Sequence, residues 1–355
     1  MRRRAKLGLG LGGLLLAGLV LIGGRIAYVE TACRAAPEGQ DFAPAITDHV
    51  WQRPEPRTFL TYPEWHMVYA YEDLAETLKT GDEHDFDYGR SVASFWSSYC
   101  ALNRLADAHG GADGPTRQMI YVIGTSFDIE MGLKAGYEET IGRFTAWMRG
   151  PEKTPQDAIA AEMAEAYGAF LHQVPWYRFP FREWVARLDA APAEGLRGVE
   201  RRWALGAEWR AKQLYADAIA GAVAATGADE LRIRSVVADL SPEVLQAMAG
   251  VSLIGPAATG TVIETDRYAA YTDLLRRLAA AGGDLAEIAG NDDVMISVVA
   301  PPGTAGLGAD TLVRAFAPMA DGRVRSLHLL KVAALLPTLR GASAGGYEVE
   351  HVFDY

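Results

Sequence analysis

The sequence predicts an α+β protein behind an N-terminal transmembrane anchor, and three observations carry that reading. Residues 7–24 hold no charge and follow the basic cluster Arg2, Arg3, Arg4 and Lys6. All eight tryptophans, from Trp51 to Trp209, lie before Gly227 in stretches with helical spacing. Beyond Gly227 the apolar residues alternate with period two, and short turn dipeptides recur, as in an antiparallel sheet. The expected layout is an anchor over 1–29, a linker over 30–59, an aromatic-rich helical domain over 60–227, and a domain over 228–355 with one antiparallel sheet and two helices.

The anchor is near the short limit for a membrane span, and Tyr28 is placed for the interface. An uncleaved signal anchor is favoured over a cleaved peptide, because small residues at cleavage spacing come late, around Thr31 to Ala35. The positive-inside rule puts the N-terminus in the cytoplasm and the body outside. Gly8, Gly10 and Gly13 match a dinucleotide fingerprint, but no strand precedes them, so the match is false. Gly8 and Gly12 fit a close-packing motif, which allows a homodimer through the anchor. The formal net charge is -11 even with the four basic residues before the anchor. Such an acidic body excludes a nucleic-acid partner, which needs a basic face.

Residues 30–59 read as a linker, with Pro37, Pro44, Pro54 and Pro56. Thr61 and Glu64 then form a capping box, Leu60 and Trp65 a hydrophobic staple, and Pro63 fits the first turn. A helix is expected from Thr61 to Thr80, stopped by a left-handed Gly81. Met67, Tyr71, Leu74 and Leu78 make its apolar stripe. A second stripe combines Trp65, His66, Tyr69, Glu72, Asp73 and Glu76. Further helices are expected from Tyr88 to Ala108, as an interrupted pair over 116–149, from Pro155 to His172 behind a Thr154–Asp157 box, and from Val199 to Ala225. In the C-terminal part, strands are expected at 231–236, Thr261–Thr265, Asp284–Ala289, Val294–Ala300, Leu312–Met319 and Val324–Lys331. Ser241-Pro242 starts a short helix, and Asp266 caps a longer one. Asp321-Gly322 marks a hairpin.

The segments YPEW (62–65), FWSSYC (95–100), VIGTSF (122–127), YEETIGR (137–143), PWYRF (175–179), EIAGND (287–292) and EHVFDY (350–355) resemble a family of uncharacterised bacterial membrane-anchored proteins. The likeness spans nearly the whole chain beyond the anchor. It implies an exported body on the bacterial inner membrane, periplasmic or extracellular, and it supplies no activity and no catalytic residue.

Catalytic signatures are weak. Ser343 in GASAG matches a nucleophile elbow, but Pro337 breaks the approach and few residues follow. Asp82, Asp85 and Asp87 lack the ligand order of a calcium loop, and no two histidines stand at i, i+4. No metal and no cofactor is expected. The best ligand-binding candidates are Glu64, Trp65, His66, Tyr69, Glu72 and Asp73, whose rings can stack on a flat ligand or sugar while carboxylates and an imidazole fix hydroxyls. Mutual satisfaction inside a helical core is the competing reading and outweighs it. Arg178 and Arg182, among the aromatics of 175–184, can touch a bilayer interface or cap the core. Cys33 and Cys100 are expected to pair in an oxidising compartment. Two functions follow: a membrane-tethered binding or assembly protein for a small molecule or envelope partner, or an envelope hydrolase using the carboxylates and His66 of the Glu64–Asp73 face.

Overall fold

Helical spacing and capping chemistry decide most of the N-terminal half. The computed structural model describes residues 20, 23–38, 42–226, 231–304, 307, 308, 310–319 and 321–355. Most of the apolar part of the anchor lies outside them. No helix among the described residues is long and apolar enough to cross a membrane. Residues 23–32 are helical (α1) and dock on the body: Val29 is buried and Arg25 is ion-paired to Asp128. Cys33, also buried, is disulfide-bonded to Cys100, with a Cα–Cα distance of 5.0 Å. Thiol counting on denatured, unreduced protein checks the bond, and two free thiols would refute it.

The helices that follow are α2 (Pro56–Leu60), α3 (Tyr62–Thr80), α4 (Tyr88–Ala108), α5 (Gly114–Tyr137), α6 (Arg143–Arg149), α7 (Pro155–Leu171), α8 (Phe181–Ala190) and α9 (Gly195–Thr226). The Thr154–Asp157 capping box is present at α7, and Asp87 and Asp113 cap α4 and α5. The box expected at Thr61 is absent. Helix starts earlier, at Pro56, so Thr61 is already helical and its hydroxyl turns back to the Arg57 carbonyl at 2.8 Å. Gly81 stops α3 in an extended conformation, not a left-handed one. The expected break in 116–149 falls later than Gly132 and Gly136, as a π-helical turn over Glu138–Gly142. Gly124 has a steric reason: a Cβ there would lie 2.5 Å from the Phe95 ring, so glycine lets α4 and α5 approach.

The C-terminal half is α+β, but it holds two antiparallel four-stranded sheets rather than one. Strands β1 (Arg232–Ala238), β2 (Ser252–Ala257), β3 (Gly260–Asp266) and β4 (Asp284–Ile288) pair in the order β2-β3-β1-β4. Strands β5 (Asp293–Ala300), β6 (Leu312–Ala315), β7 (Val324–Lys331) and β8 (Glu348–Phe353) pair as β6-β7-β5-β8. Each unit inserts a helix before its last strand: α11 (Ala269–Ala280) in the first, α12 (Val332–Gly345) in the second. A short α10 (Pro242–Gln246) follows β1. The two units thus repeat one topology, and Ser-Val-Val-Ala recurs at 235–238 and 297–300 on the matching strands β1 and β5. In both, the serine bonds a tyrosine: Ser235 to Tyr271 at 2.7 Å and Ser297 to Tyr69 at 3.1 Å.

Between β4 and β5 the chain turns through Ala289 and Gly290, both at positive φ, closed by an Ile288–Asn291 bridge, and passes from the first sheet to the second. Two further expectations are corrected. Asp266 pairs with Arg232, and Tyr268 precedes α11 without a side-chain cap. Helix α12 runs through Pro337, where burial of Val332, Leu335 and Leu336 outweighs the ~3 kcal/mol intrinsic cost of proline. Ser343 therefore sits in a helix with no strand–turn–helix elbow.

The second sheet separates two cores. Alternation along β5 sends Met295 into the helical core and Val294, Ile296 and Val298 into a core shared by both sheets with α11 and α12. On the far side, the predicted linker covers the first sheet: the Arg234 guanidinium lies 4.0 Å from the Trp51 ring centre, and Glu287 accepts from the Ile46 N–H at 2.9 Å.

Candidate functional site

Helix α3 meets the edge of the second sheet, and the cleft between them is the candidate site. Its volume is about 350 Å³, within the range of small-molecule pockets. One wall is α3, with Tyr62, His66, Tyr69 and Asp73; a second is the start of α4, with Asp87, Arg90 and Ser91; the third is the β6–β7 connection from Phe316 to Met319, with Arg325 of β7.

Each side chain is held by a separate contact. Tyr62 stacks on Phe316 at 5.7 Å. The buried His66 donates from Nε2 to the Ser91 carbonyl at 3.0 Å, and burial, with Arg325 and Arg314 adding to it, lowers its pKa to about 4. It is a neutral imidazole at pH 7. Arg325 is buried, lies 3.7 Å from the Tyr69 ring centre, and makes a bidentate pair with Glu350 at 2.7 Å through Nε and Nη2. Its Nη1 makes no hydrogen bond among the described residues. Asp73 is half-buried, and its carboxylate likewise has no hydrogen-bond or ion-pair partner among them. Burial pushes its pKa up to about 6 against the pull of Arg325.

Two predictions follow from these states, with opposite signs. For Asp73, the folded pKa lies above the ordinary 3.8, so the fold is favoured below about pH 3.8 and penalised as pH rises through 6. Asp73→Asn should therefore raise stability at pH 7 by about 1–3 kcal/mol in urea unfolding; no gain would contradict the strained carboxylate. For His66, the folded pKa lies below 6.5, so the contribution is complete above pH 6.5 and lost as pH falls toward 4. Relative to His66→Gln, the parent should lose up to about 3 kcal/mol across that window. A pH-independent difference would show that His66 does not titrate in this way.

The predicted face of α3 divides. His66, Tyr69 and Asp73 line the cleft. Glu64 is exposed and outside it. Trp65 is buried in the opposite seam, stacked on His351 at 3.6 Å, and Glu72 bonds His172 there. The helix periodicity gathered these residues on one side, but sheet packing split them. Tyr62, Arg90, Arg325 and the 316–319 stretch were missed. Arg325 and 316–319 come from sequence far away, with no local signal; Tyr62 stood beside the candidates and was readable as one turn before His66.

Among the described residues, two clusters could offer metal ligands: Glu55, His109 and Asp293, and Asp82, His84 and Asp85. Both already hold protein cations. His109 bonds Glu55 at 2.9 Å and Lys331 pairs with Asp293 at 2.8 Å, while Asp82 takes Arg149 at 2.9 Å and Lys153 at 2.8 Å. The 175–184 aromatics close the core in part: Phe179 and Phe181 are buried and pack on Tyr167. No family model matches this chain, and neither a curated protein nor a solved structure is similar to it.

Proposed function

We propose that this chain is a membrane-tethered, extracytoplasmic binding protein of the exported family it resembles, with the α3–β7 cleft as its ligand site. One observation carries the reading. A half-buried carboxylate without a hydrogen-bond or ion-pair partner among the described residues, Asp73, faces a cleft that also holds the Nη1 edge of Arg325, likewise unbonded among them. Unpaired groups of this kind cost stability and are retained where a ligand completes them. With Arg90 opposite and Tyr62 and neutral His66 beside them, the walls suit a small molecule carrying both an ammonium or hydroxyl and an anionic group. Phe316 and Met319 cover its apolar side.

The test is calorimetric titration of the full chain in detergent with free amino acids, amino sugars and sugar acids. A binder is expected whose affinity falls at least tenfold in Asp73→Asn or Arg90→Ala, about the 1.4 kcal/mol of one lost charged contact. Binding that ignores both substitutions would move the site elsewhere. A hydrolytic reading draws support from one fact: a carboxyl with pKa about 6 is suited to proton transfer near neutral pH. Turnover of a bound compound, lost in Asp73→Asn while binding persists, would favour it.

A further inference from the structure

The outer surface of the α5, α6 and α9 layer is unlike the rest of the molecule. From residue 118 to residue 136, no exposed residue of α5 is charged. The four charges on that helix all turn sideways or inward: Arg117 to Asp107, Asp128 to Arg25, Glu130 to Lys212, and Lys134 to Glu208. The last two pairs hold α5 and α9 antiparallel. The outer face carries Ile129, Leu133, Phe144, Trp147, Trp203 and Leu214, of which Leu133, Trp147, Trp203 and Leu214 are more than 70% exposed. The exposed charges that remain on this layer are paired: Glu139 with Arg143 before and in α6, and Arg210 and Asp217 of α9 with Asp189 and Arg182 of α8. Large apolar side chains this exposed on one helical layer are a liability unless something covers them.

We infer that the covering partner is the lipid bilayer. Helix α1 lies antiparallel to α5, because Glu30 bonds Tyr121 while Arg25 pairs with Asp128 five residues earlier in α1 and one to two turns further along α5. Its N-terminal end therefore points along α5 toward Leu133 and α6. The uncharged stretch 7–22 is joined to α1 at that end, so the membrane that takes it lies beside this face. The disulfide ties the end of α1 to α4 and the Arg25–Asp128 pair ties its start to α5, which together set its orientation on the layer. Exposed tryptophans at 147 and 203 and leucines at 133 and 214 match the composition of surfaces that sit in the headgroup and upper acyl region, and the charges of α5, turned inward, satisfy one another. The body is then a partly immersed domain with its cleft at a fixed attitude to the membrane. This rests on the tethered reading above.

The test uses the full chain in phosphatidylethanolamine–phosphatidylglycerol vesicles, spin-labelled at Leu133→Cys, Trp147→Cys or Trp203→Cys, with Glu243→Cys on α10 as the solvent control. The native cysteines are paired, so one thiol is available in each variant. Collisions with oxygen should dominate over collisions with a water-soluble nickel chelate at 133, 147 and 203, and the order should invert at 243. Chain that floats with the vesicles but shows the control's nickel exposure at all three sites overturns the immersed face and leaves the tether standing. Chain that fails to float overturns both. Spin–spin broadening between labels at 133 would assign the face to a second copy and also overturn the proposal.

Discussion

Arg201→Ala will cost about 3–5 kcal/mol, the range for removing one partner from a buried ion cluster. Arg201 is 1% exposed and holds Glu83 at 2.7 Å, Glu138 at 2.8 Å and Glu200 at 2.6 Å. Without it, three carboxylates are left in a site closed to water. Burial pushes Glu138 well above the usual carboxylate range, helped by the neighbouring Glu83 carboxylate. Burial would raise Glu83 too, but Lys134 and Arg201 outweigh it and hold it below the usual carboxylate range. The cluster thus pushes the two carboxyls in opposite directions. In the variant Glu83 loses a main source of that depression, so the penalty should shrink as pH falls and the carboxylates protonate. Urea unfolding at pH 7.5 and pH 5 measures both effects. Arg143→Ala, which removes an exposed pair with Glu139, should cost under about 1 kcal/mol and is the control. Equal losses in the two variants would show that burial does not set the energy of the cluster.

Trp65→Ala should cost roughly 3–5 kcal/mol, as for a buried indole that leaves a cavity. Trp65 is 4% exposed, and its ring, packed among Tyr69 and His172 of the helical half, meets the second sheet at His351 and Phe353 of β8. The loss should therefore loosen the contact between the two halves and alter the cleft indirectly. A variant as stable as the parent would contradict this account and return Trp65 to the ligand candidates. His66→Ala should also destabilise, because it leaves the Ser91 carbonyl without its donor and opens a space against Phe95 and Phe127.

Sequence alone determined what depends on neighbours one turn away. The Thr154–Asp157 box and Pro155 place α7 because two side chains satisfy two free N–H groups locally. Val92, Phe95, Trp96, Tyr99 and Leu102 fall on the buried face of α4 because helical spacing puts them on one side. The Asp321-Gly322 turn pairs β6 with β7 for a similarly short-range reason. The α+β class was legible for this cause, and so were His66, Tyr69 and Asp73 as neighbours on one helix. Tertiary structure decided everything that needed partners far along the chain. It put β4 and β5 in separate sheets, with β5 burying Met295 and Val294 against different cores. Helix α12 survived Pro337 because the shared core took up its leucines. Trp65 and Glu72 went to the His351–His172 seam while Asp73 stayed in the cleft opposite Arg325. A helix periodicity gives the face a residue occupies; what that face meets is fixed by long-range packing, which local spacing does not encode.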